Sequence, residues 1–366
     1  MIENSEGRVI QEIKGNNIYC RSISPPQIEI TEKYIDAHTI SGHNIKKVKL
    51  YGKITVSGLR AIYLTFANLI KQENKGDNIN IIISDELYCD TPKIIKSFNC
   101  PTTEINVCNP VSILQHFQAL KNENPNRTNI LFFESASNPN GNIFPFDILP
   151  KLKQLSKKLI VVVDNTWLTH VILNPFKFSD VEIVVNSCSK YYSAGKCISG
   201  MILSKNANFM YSLESMSKLM GYHVSVDYCK LLLANFGTME DRIMASYKNT
   251  LELTKVLSNY KNITIRNSSN PNDSSHQLAL TYYNKSKEDP NETIHPSIIN
   301  VIVNKPIDHV KKQLEENNII TKTSFGSCHT KVCNFMKSLS PQYTQIRISV
   351  GYDKIDFKMF EFLNSN

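Results

Sequence analysis

The sequence predicts an α/β protein, in which an open three-layer domain with a mostly parallel central sheet precedes a smaller C-terminal α+β domain. Short β-branched runs alternate with helical patterns between about residues 48 and 205. These runs are apolar at consecutive positions, which is typical of strands buried on both faces of a parallel sheet. After about residue 205, longer helical patterns lead into a second group of strand-like runs. The predicted divisions are an N-terminal arm with a first helix over 1–47, a large ligand-binding domain over 48–225 and a C-terminal domain over 226–366.

The strands of the large domain are apolar runs that end abruptly in polar residues. The run YGKITV comes first, and the later runs are NIIIS (80–84), NILFFE (129–134), LIVVVD (159–164), EIVVNS (182–187) and GMILS (200–204). Helical patterns, with apolar residues three or four positions apart, cover 57–72, 111–123 and 149–158. Because strands and helices alternate, we expect the strands to pair in parallel, with helices on both faces of the sheet.

The C-terminal part has a different order of elements. Helical patterns are predicted over 207–220, 228–260, 307–317 and 353–363. Strand-like runs are predicted over 276–283, 297–304, 320–325 and 345–352. This mixture predicts a smaller α+β domain.

Composition excludes several classes of protein. Lys and Arg number 41 against 33 Asp and Glu, and these cations are dispersed rather than clustered as in a nucleic-acid-binding surface. No stretch approaches the roughly 18 apolar residues of a membrane span, and the N-terminus lacks the apolar core of a signal peptide. We therefore predict a cytoplasmic protein with neither a nucleic-acid nor a membrane partner.

The nine cysteines are scattered as single residues, without a C-x-x-C pair. An odd number of dispersed cysteines in a long chain argues against a disulfide scaffold. It is typical of a protein in a reducing compartment. The sequence predicts no metal site.

Polar residues follow the predicted strands of the large domain. In open α/β sheets, ligands bind at the carboxyl ends of the strands, so these residues are candidates for one shared site. The candidates are Ser57 and Gly58 after YGKITV, Tyr88 and Thr91 after NIIIS, Glu134 to Asn138 after NILFF, Asp164 after LIVVV, and Lys190 after EIVVNSCS.

This set suits catalysis by pyridoxal 5′-phosphate (PLP). A lysine binds the cofactor's aldehyde, and a carboxylate keeps its pyridine nitrogen protonated so that the ring withdraws electrons. A helix that begins with small residues can hold the phosphate through its backbone N–H groups. Taken singly, each residue has a more common explanation: Asp164 as a turn former, Lys190 as a solvated loop residue and Tyr88 as a packing aromatic.

The segment VVVDNTWLTHVILNPFKFSDVEIVVNSCSKYYSAGK (161–196) resembles the signature of one family in the order and spacing of its motifs. That family is the PLP-dependent enzymes of Cys/Met metabolism, the cystathionine γ-synthase/cystathionine γ-lyase group of aspartate-aminotransferase fold type I. The resemblance extends from about Tyr19 to the C-terminus. It implies a three-layer PLP-dependent transferase fold, and it favours a cofactor site over the common explanations of Asp164 and Lys190.

The resemblance implies that several motifs bind the PLP cofactor. Lys190 would bind the aldehyde, and Asp164 would pair with the pyridine nitrogen. Tyr88, in DELYCDT, would stack on the ring and transfer protons, which makes these three the implied catalytic residues. The implied phosphate ligands are Ser187 and Ser189 before the lysine, and Ser57, Gly58 and Leu59 in VSGLRAI.

The resemblance also implies a small amino acid as the substrate. Asn138, in ESASNPNG, would contact both the cofactor's phenolic oxygen and the substrate. Ser324, in TSFGS, and Arg347, in IRISVGY, would bind the substrate. Arg347 would hold the α-carboxylate, and a bidentate pair of an arginine with a carboxylate fits that role physically.

The N-terminal segment YCRSISPPQIEI carries a weaker resemblance. It implies that Tyr19 and Arg21 reach across a subunit interface to the neighbour's cofactor phosphate. The protein would then be a homodimer or homotetramer with sites shared across the interface. The alternative is an N-terminal arm without a fixed structure.

Two segments depart from the family's pattern. The usual LRG-x-KT reads LANFGT at 233–238 and lacks the Arg and the Lys. The usual SLGG-x-ES reads SFGSCHT at 324–330, with His329 where the family carries a specificity residue. His329 is either a contact of the substrate side chain or a surface histidine.

The function implied is γ-elimination from sulfur-containing amino acids, with cystathionine γ-lyase activity in transsulfuration as the first choice. Cystathionine γ-synthase, cystathionine β-lyase, methionine γ-lyase and O-acylhomoserine sulfhydrylase share every site residue named above. An alternative of another class is a catalytically idle relative with a binding or regulatory role, suggested by the two departing segments. An aminotransferase is disfavoured, because the spacing of DNT and SCSKY belongs to the sulfur-amino-acid group.

Overall fold

The computed structural model describes residues 2–3, 9–10, 23–40, 48–73, 78–333 and 336–364. Its strands are β1 (Ile2–Glu3), β2 (Val9–Ile10), β3 (Tyr51–Thr55), β4 (Ile79–Ser84), β5 (Thr102–Ile105), β6 (Thr128–Glu134), β7 (Leu159–Asp164), β8 (Ile183–Ser187), β9 (Gly200–Ser204), β10 (Ile263–Arg266), β11 (Ile298–Val303), β12 (Lys331–Val332), β13 (Lys337–Ser340) and β14 (Tyr343–Ser349).

The described helices alternate with these strands. They are α1 (Pro25–His38), α2 (Gly58–Gln72), α3 (Thr91–Lys96), α4 (Pro110–Glu123), α5 (Leu149–Leu155), α6 (Thr169–Ile172), α7 (Ala207–Leu219), α8 (Val226–Phe236), α9 (Met239–Leu257), α10 (His276–Tyr282) and α11 (Ile307–Glu316). Short 3₁₀ helices cover Phe146–Ile148, Pro175–Lys177 and Phe357–Leu363. Within the described part of the chain, no helix is long and apolar enough to cross a membrane.

The central sheet has seven strands in the order β3-β9-β8-β7-β6-β4-β5. Strands β8, β7, β6, β4 and β5 pair in parallel. Strand β9 is antiparallel to both β3 and β8, so β3 runs in the same direction as β8. The carboxyl ends of β3, β4, β6, β7 and β8 therefore lie along one edge of the sheet.

Both faces of the central sheet are buried. Val161 and Val163 of β7 belong to one apolar cluster, whereas Val162 between them belongs to the cluster on the opposite face. Because successive side chains of a strand point to opposite faces, such a strand must be apolar at every position. This is the physical reason why LIVVV shows no alternation, and it confirms the predicted three-layer α/β fold.

Helix α2 begins where β3 ends. The Ser57 hydroxyl accepts a hydrogen bond from the N–H of Arg60 at 3.1 Å, which satisfies one of the unpaired donors of the first turn. Ala61, Leu64 and Phe66 are buried between the helix and the sheet. The N-terminus of α2 is thereby fixed at the ligand-binding edge.

The smaller C-terminal sheet is antiparallel, with the order β10-β11-β14-β12 and with β13 paired to β14. It has its own apolar cluster, which includes Val301, Ile346 and Phe360. The two sheets agree with the predicted architecture, whereas the domain boundaries at 47/48 and 225/226 stay a prediction.

Three C-terminal predictions are wrong. Residues 276–283 form a helix rather than a strand, because Ala279 and Tyr282, three positions apart, are the positions that α10 buries. Residues 320–325 contain only an isolated bridge from Thr321 to Val332, and Ser324 and Phe325 line a cavity instead of pairing in a sheet. The predicted last helix is a 3₁₀ helix that starts at Phe357. The edge strand β5, only four residues long, was not predicted.

Candidate active site

A cavity of about 510 Å³ opens at the carboxyl edge of the central sheet. The residues predicted from strand ends that line it are Ser57, Gly58, Leu59, Tyr88, Thr91, Glu134, Asn138, Asp164, Ser187, Ser189 and Lys190. Ser324 and Phe325 contribute from the C-terminal side of the cavity. The predicted gathering of strand-end side chains at one site is therefore observed.

Lys190 lies in the loop after β8, and its Nζ donates to Ser324 Oγ at 3.3 Å. The same nitrogen lies 5.3 Å from the centre of the Phe325 ring. Burial, with further contributions from Arg347 and Lys331, lowers the pKa of Lys190 below its ordinary value, and Asp164 partly opposes this shift. The cavity thus increases the neutral fraction of the amine relative to an ordinary lysine, and the neutral form is the nucleophilic and basic one.

Asp164 is the last residue of β7 and is buried. Its Oδ1 accepts a hydrogen bond from the Thr166 N–H at 2.9 Å. Burial raises the pKa of Asp164 to about 6, although Thr166 and Lys190 act in the opposite direction. A buried carboxylate of this kind gains most from a cationic partner placed inside the cavity.

Glu134 ends the neighbouring strand β6 and is paired in register with Asp164. Its Oε1 accepts from the Tyr88 N–H at 2.5 Å. Burial, then the nearby charge of Asp164, raises the pKa of Glu134 well above its ordinary value. Burial disfavours the charged form of the Glu134 carboxyl, and the neighbouring Asp164 charge adds to that effect, so the protonated form is favoured more than in an ordinary glutamate.

The N-terminus of α2 approaches β8 very closely at Gly58. A Cβ at this position would lie 2.6 Å from Ser187 Cβ, a distance that real Cβ atoms essentially never show. Gly200 is equally necessary, because its Cβ would lie 2.4 Å from the Ser57 carbonyl oxygen. The two glycines bring the first N–H groups of α2 against the loop after β8, where an anion can be bound.

The two serines predicted as phosphate ligands lie in segments that hydrogen bonds hold in place. The Ser187 N–H donates to Thr166 Oγ1 at 2.7 Å, which ties the end of β8 to the turn after β7. The Ser189 hydroxyl accepts from the Ser199 N–H at 3.0 Å and donates to the Ser199 carbonyl oxygen at 3.2 Å. Both serines line the cavity. The hydrogen bonds fix the backbone of Ser187 and the side chain of Ser189.

Tyr88 lies at the mouth of the cavity and its side chain is partly exposed. Burial of part of the ring raises the pKa of Tyr88 above its ordinary value, and Cys89 and Asp90 contribute to the shift. The phenol therefore holds its proton at neutral pH.

Arg347, in β14, is buried, and its Nη1 donates to Asn138 Oδ1 at 2.8 Å across the two domains. Its Nη2 donates to the Thr323 carbonyl oxygen at 2.5 Å. Among the described residues, the Arg347 Nε is buried without a hydrogen-bond partner, and so is the indole Nε1 of Trp167. The guanidinium carbon lies 5.8 Å from the centre of the Trp167 ring.

An anion that accepted a hydrogen bond from either donor would supply the missing partner. A buried donor without a partner costs roughly 1–3 kcal/mol, so a ligand that accepts from it gains that amount.

Sequence reasoning missed Trp167, although it stands only three residues after Asp164. The other lining residues that it missed are Ile62, Thr166, Gly195, Lys196, Cys197, Ile198 and Tyr228. No sequence pattern near Tyr228 indicates a site residue, because α8 reaches the cavity only through the tertiary fold.

Two of the predicted site residues that the structure describes do not line the cavity: Arg347, which contacts the cavity residue Asn138, and His329. The side chain of His329 is 62% exposed and pairs with Asp353, with Nδ1 and Oδ2 3.1 Å apart. Of the two readings open from the sequence, the surface histidine fits this geometry. Tyr19 and Arg21 lie outside the described residues.

The side chains around the cavity fit PLP. A lysine with a lowered pKa and a buried carboxylate project from adjacent strands, and a glycine-dependent helix N-terminus with nearby serines provides donors for a phosphate. A Cβ at Gly58 would fill the approach to that helix N-terminus. Fold and site together define a PLP-dependent enzyme of the three-layer α/β class.

The chain belongs to the family of Cys/Met metabolism PLP-dependent enzymes, whose model matches residues 5–356. A cystathionine β-lyase of Schizosaccharomyces pombe is 29% identical over 183 residues, which are 49% of this chain and 46% of that protein. The chain thus spans about half the length of the curated relatives it matches.

Solved structures show the same fold at low sequence identity. A methionine γ-lyase from Micromonospora echinospora has a TM-score of 0.77 and 14% identity, with 97% of this chain and 90% of that chain covered. A Campylobacter jejuni chain that carries a pyridoxyl-lysine monophosphate adduct has a TM-score of 0.73 and 19% identity, with 96% and 86% covered. The confirmed predictions are therefore the fold class, the family and its PLP dependence.

Proposed function

We propose that this protein catalyses γ-elimination from a sulfur-containing amino acid, with cystathionine as the first candidate substrate. The observation that carries the proposal is the pair of buried donors without partners, Arg347 Nε and Trp167 Nε1. Trp167 lines the cavity together with Lys190 and Asp164, and Arg347 contacts the cavity residue Asn138. When bound, PLP supplies an electron sink for the carbanion formed at the substrate's α-carbon.

Lys190 is proposed to hold the cofactor and then to move the substrate's α-proton. Its lowered pKa increases the neutral fraction of the amine relative to an ordinary lysine, and a neutral amine can accept a proton. Ser324 Oγ accepts from Nζ and would aim the amine within the cavity. Asp164 is proposed to pair with the protonated pyridine nitrogen, since a cation there offsets the cost of burying its charge.

Arg347 is proposed to bind the substrate α-carboxylate. Asn138 and the Thr323 carbonyl hold its Nη1 and Nη2 and so orient the guanidinium plane. The remaining Nε can then donate to one carboxylate oxygen, and the Trp167 indole can donate to the other. Such an arrangement fixes the direction of the substrate's Cα–H bond with respect to Lys190.

Tyr88 is proposed to protonate the leaving sulfur. Its raised pKa supplies a phenol that keeps its proton at neutral pH, and a thiolate leaves more easily once it is protonated. Its position at the mouth of the cavity suits a group at the γ-position, which lies farther from Lys190 than the α-carbon.

The cavity volume of about 510 Å³ falls within the range of roughly 300–1,000 Å³ typical of small-molecule sites, which suits a substrate of cystathionine's size. The named relatives catalyse different reactions, β-elimination in one and methionine γ-elimination in another. Cystathionine γ-lyase chemistry is therefore a proposal about specificity within the family.

A product analysis tests this choice. The purified holoenzyme is incubated with cystathionine, methionine, homocysteine and O-acetylhomoserine, and the products are identified by mass spectrometry. We expect cysteine, 2-oxobutyrate and ammonia from cystathionine. Homocysteine with pyruvate would replace our proposal with β-elimination, and the absence of any product from all four compounds would favour an idle relative.

A separate measurement tests the role of Lys190. Borohydride reduction followed by peptide mass spectrometry should find a pyridoxyl group on Lys190. Lys151, an exposed lysine on α5, serves as the internal control and should stay unmodified. A pyridoxyl group on another lysine would reject Lys190 as the cofactor lysine without deciding which substrate is used.

The homodimer or homotetramer with shared sites also stays a proposal, supported by the resemblance of Tyr19 and Arg21 to residues that bind a neighbour's cofactor. If Arg21 donates to the phosphate, Arg21→Ala should lower PLP affinity by roughly tenfold or more, because a charge-assisted bond is lost. Equilibrium dialysis measures that affinity, and an unchanged value would count against Arg21.

A further inference from the structure

Three side chains with metal-binding atoms converge on the surface of the C-terminal domain. The Cys328 sulfur, a ring nitrogen of His329 and a carboxylate oxygen of Asp353 all lie within 4.8 Å of one another. His329 Nδ1 and Asp353 Oδ2 are 3.1 Å apart. None of the three lines the PLP cavity, and the proposed reaction uses none of them.

These separations are close to those of a tetrahedral metal site. Zinc bonds of about 2.3 Å to sulfur and about 2.0–2.1 Å to nitrogen or oxygen place neighbouring ligand atoms roughly 3.3–3.6 Å apart. The 3.1 Å between His329 Nδ1 and Asp353 Oδ2 is slightly shorter than that spacing, so these two atoms need to separate only a little. The sulfur lies within 4.8 Å of the other two ligand atoms, so it needs to approach them by no more than about 1.3 Å. A rotation of the partly exposed Cys328 side chain can provide that approach.

The backbone holds the two ligand-bearing segments together. The Asp353 N–H donates to the Cys328 carbonyl oxygen at 3.0 Å, and the Gly351 N–H donates to Thr330 Oγ1 at 3.1 Å. Asn249 Nδ2 donates to the carbonyl oxygens of Gly351 and Asp353, both at 2.9 Å. A Cβ at Gly351 would lie 2.0 Å from the Cys328 carbonyl oxygen, so this close approach requires glycine.

We propose that Cys328, His329 and Asp353 bind a divalent transition-metal ion of the zinc class. A thiolate, an imidazole and a carboxylate are a ligand set that zinc accepts, whereas Mg²⁺ and Ca²⁺ prefer oxygen alone. The thiolate and the carboxylate together neutralise the dication. With three protein ligands, a fourth position is open to water.

The surroundings permit an ion to enter. The side chains of His329 and Asp353 are 62% and 47% exposed, so the ion can exchange its waters at the surface. Two basic side chains of the surrounding segments have partners elsewhere: Lys331 bonds to Ser327 Oγ, and the Arg242 guanidinium donates to the carbonyl oxygens of Tyr191 and Asn235.

The metal would stabilise one wall of the PLP cavity. Cys328 and His329 continue the segment in which Ser324 accepts from Lys190. Gly326 packs against the backbone after Lys190 so closely that its Cβ would lie 2.7 Å from the Tyr191 nitrogen. Fixing residues 328 and 329 to Asp353 therefore limits the motion of the loop that contacts Lys190.

The test uses the full-length holoenzyme and Zn²⁺ alone. Isothermal titration and metal analysis after gel filtration should give one zinc ion per chain that Cys328→Ser, His329→Gln and Asp353→Asn each lose. His309→Gln, at an exposed histidine of α11, is the matched control and should keep it. At a hundredfold excess of Zn²⁺ over Kd, the thermal midpoint of the wild type should rise by roughly 3 °C.

Zinc X-ray absorption identifies the ligands. The wild-type site should show one sulfur at about 2.3 Å and lighter atoms at about 2.0–2.1 Å. Cys328→Ser should remove the sulfur. Circular dichroism and PLP content check that each variant is folded, and the exposed His329→Gln is the variant that leaves the core untouched. No zinc bound by the wild type in the micromolar range, or full binding by all three ligand variants, overturns the proposal.

Discussion

The two sides of the PLP cavity are built in different ways. On the side of the central sheet, Asp164 is the last residue of β7 and Lys190 follows β8 by three residues. On the C-terminal side, Arg347 lies inside the strand β14 and Ser324 lies in an irregular segment. Residues at strand ends are placed by the local sequence, whereas Arg347 reaches Asn138, 209 positions away, only because the C-terminal domain packs beside the sheet.

This difference suggests that the two sides of the cavity have different functions in the reaction. The sheet side would hold the cofactor and move protons, since its groups have the shifted pKa values of Lys190 and Asp164. The C-terminal side would select and orient the substrate, since the buried Arg347 Nε has no hydrogen-bond partner and can donate to a carboxylate. Trp167 Nε1 would assist from the sheet side. Substitutions on the two sides should therefore affect different kinetic constants.

The largest effect should come from Lys190→Ala on the sheet side. Loss of the amine removes both the cofactor link and the base, so kcat should fall by at least about a thousandfold. Steady-state assays with cystathionine measure it. Lys151→Ala, which removes an exposed lysine from α5, should leave kcat unchanged. A Lys190→Ala protein that kept a tenth of the activity would contradict the proposed role of Lys190 as cofactor ligand and base.

Arg347→Lys tests the C-terminal side. The ammonium keeps the charge but cannot maintain the bonds to Asn138 and the Thr323 carbonyl while it also contacts a carboxylate. We expect KM to rise by about 100-fold, with a smaller change in kcat. A fall in kcat of that size with an unchanged KM would assign Arg347 to the chemical step and contradict the separate functions of the two sides.

Asp164 gives a prediction about pH in the cofactor-free protein. Burial raises the pKa of Asp164 from 3.8 to about 6, so between these values the folded protein binds more protons on this carboxyl than the unfolded chain does. The contribution to stability is complete below pH 3.8 and is lost as the pH rises through 6. Above that pH, burying the charge costs roughly 1–3 kcal/mol.

Cofactor-free Asp164→Asn should therefore be more stable than the wild type at pH 7.5, by roughly 1–3 kcal/mol, and the difference should vanish near pH 4. Urea unfolding across this range measures the difference. With PLP bound the order should reverse, because the pyridine nitrogen loses its carboxylate partner. A less stable cofactor-free variant at pH 7.5 would show that Asp164 has a cationic partner within the protein itself.

An effect of a size similar to that of Asp164→Asn is expected from Gly58→Ala at the start of α2. The added methyl must push the helix away from Ser187, which should weaken PLP affinity by about tenfold and cost about 1–3 kcal/mol of stability. Gly237→Ala is the matched control, because no atom lies within 4 Å of a Cβ there. PLP titration of both proteins distinguishes them, and equal affinities would show that the close approach at Gly58 does not serve the phosphate.

Errors in the predicted elements fall mainly in the C-terminal domain, for a physical reason. Strands such as LIVVV are buried on both faces, so their residue types alone distinguish them from helices. The segment 276–283 is short and half-buried. Its packing against the rest of the domain decides that Ala279 and Tyr282 face inward together. The segment 320–325 is apolar in part because Phe325 lines the cavity rather than a sheet.

By itself, the sequence determined the three-layer fold and the position of Asp164, Lys190 and Gly58 at one edge of the sheet. That information is local, because each of these residues directly follows a strand or begins a helix. The tertiary structure alone decided that Arg347 and Trp167 keep unpaired donors, and that His329 joins Cys328 and Asp353 at the surface. These groups come together through contacts between distant segments, and no pattern within one segment encodes such contacts.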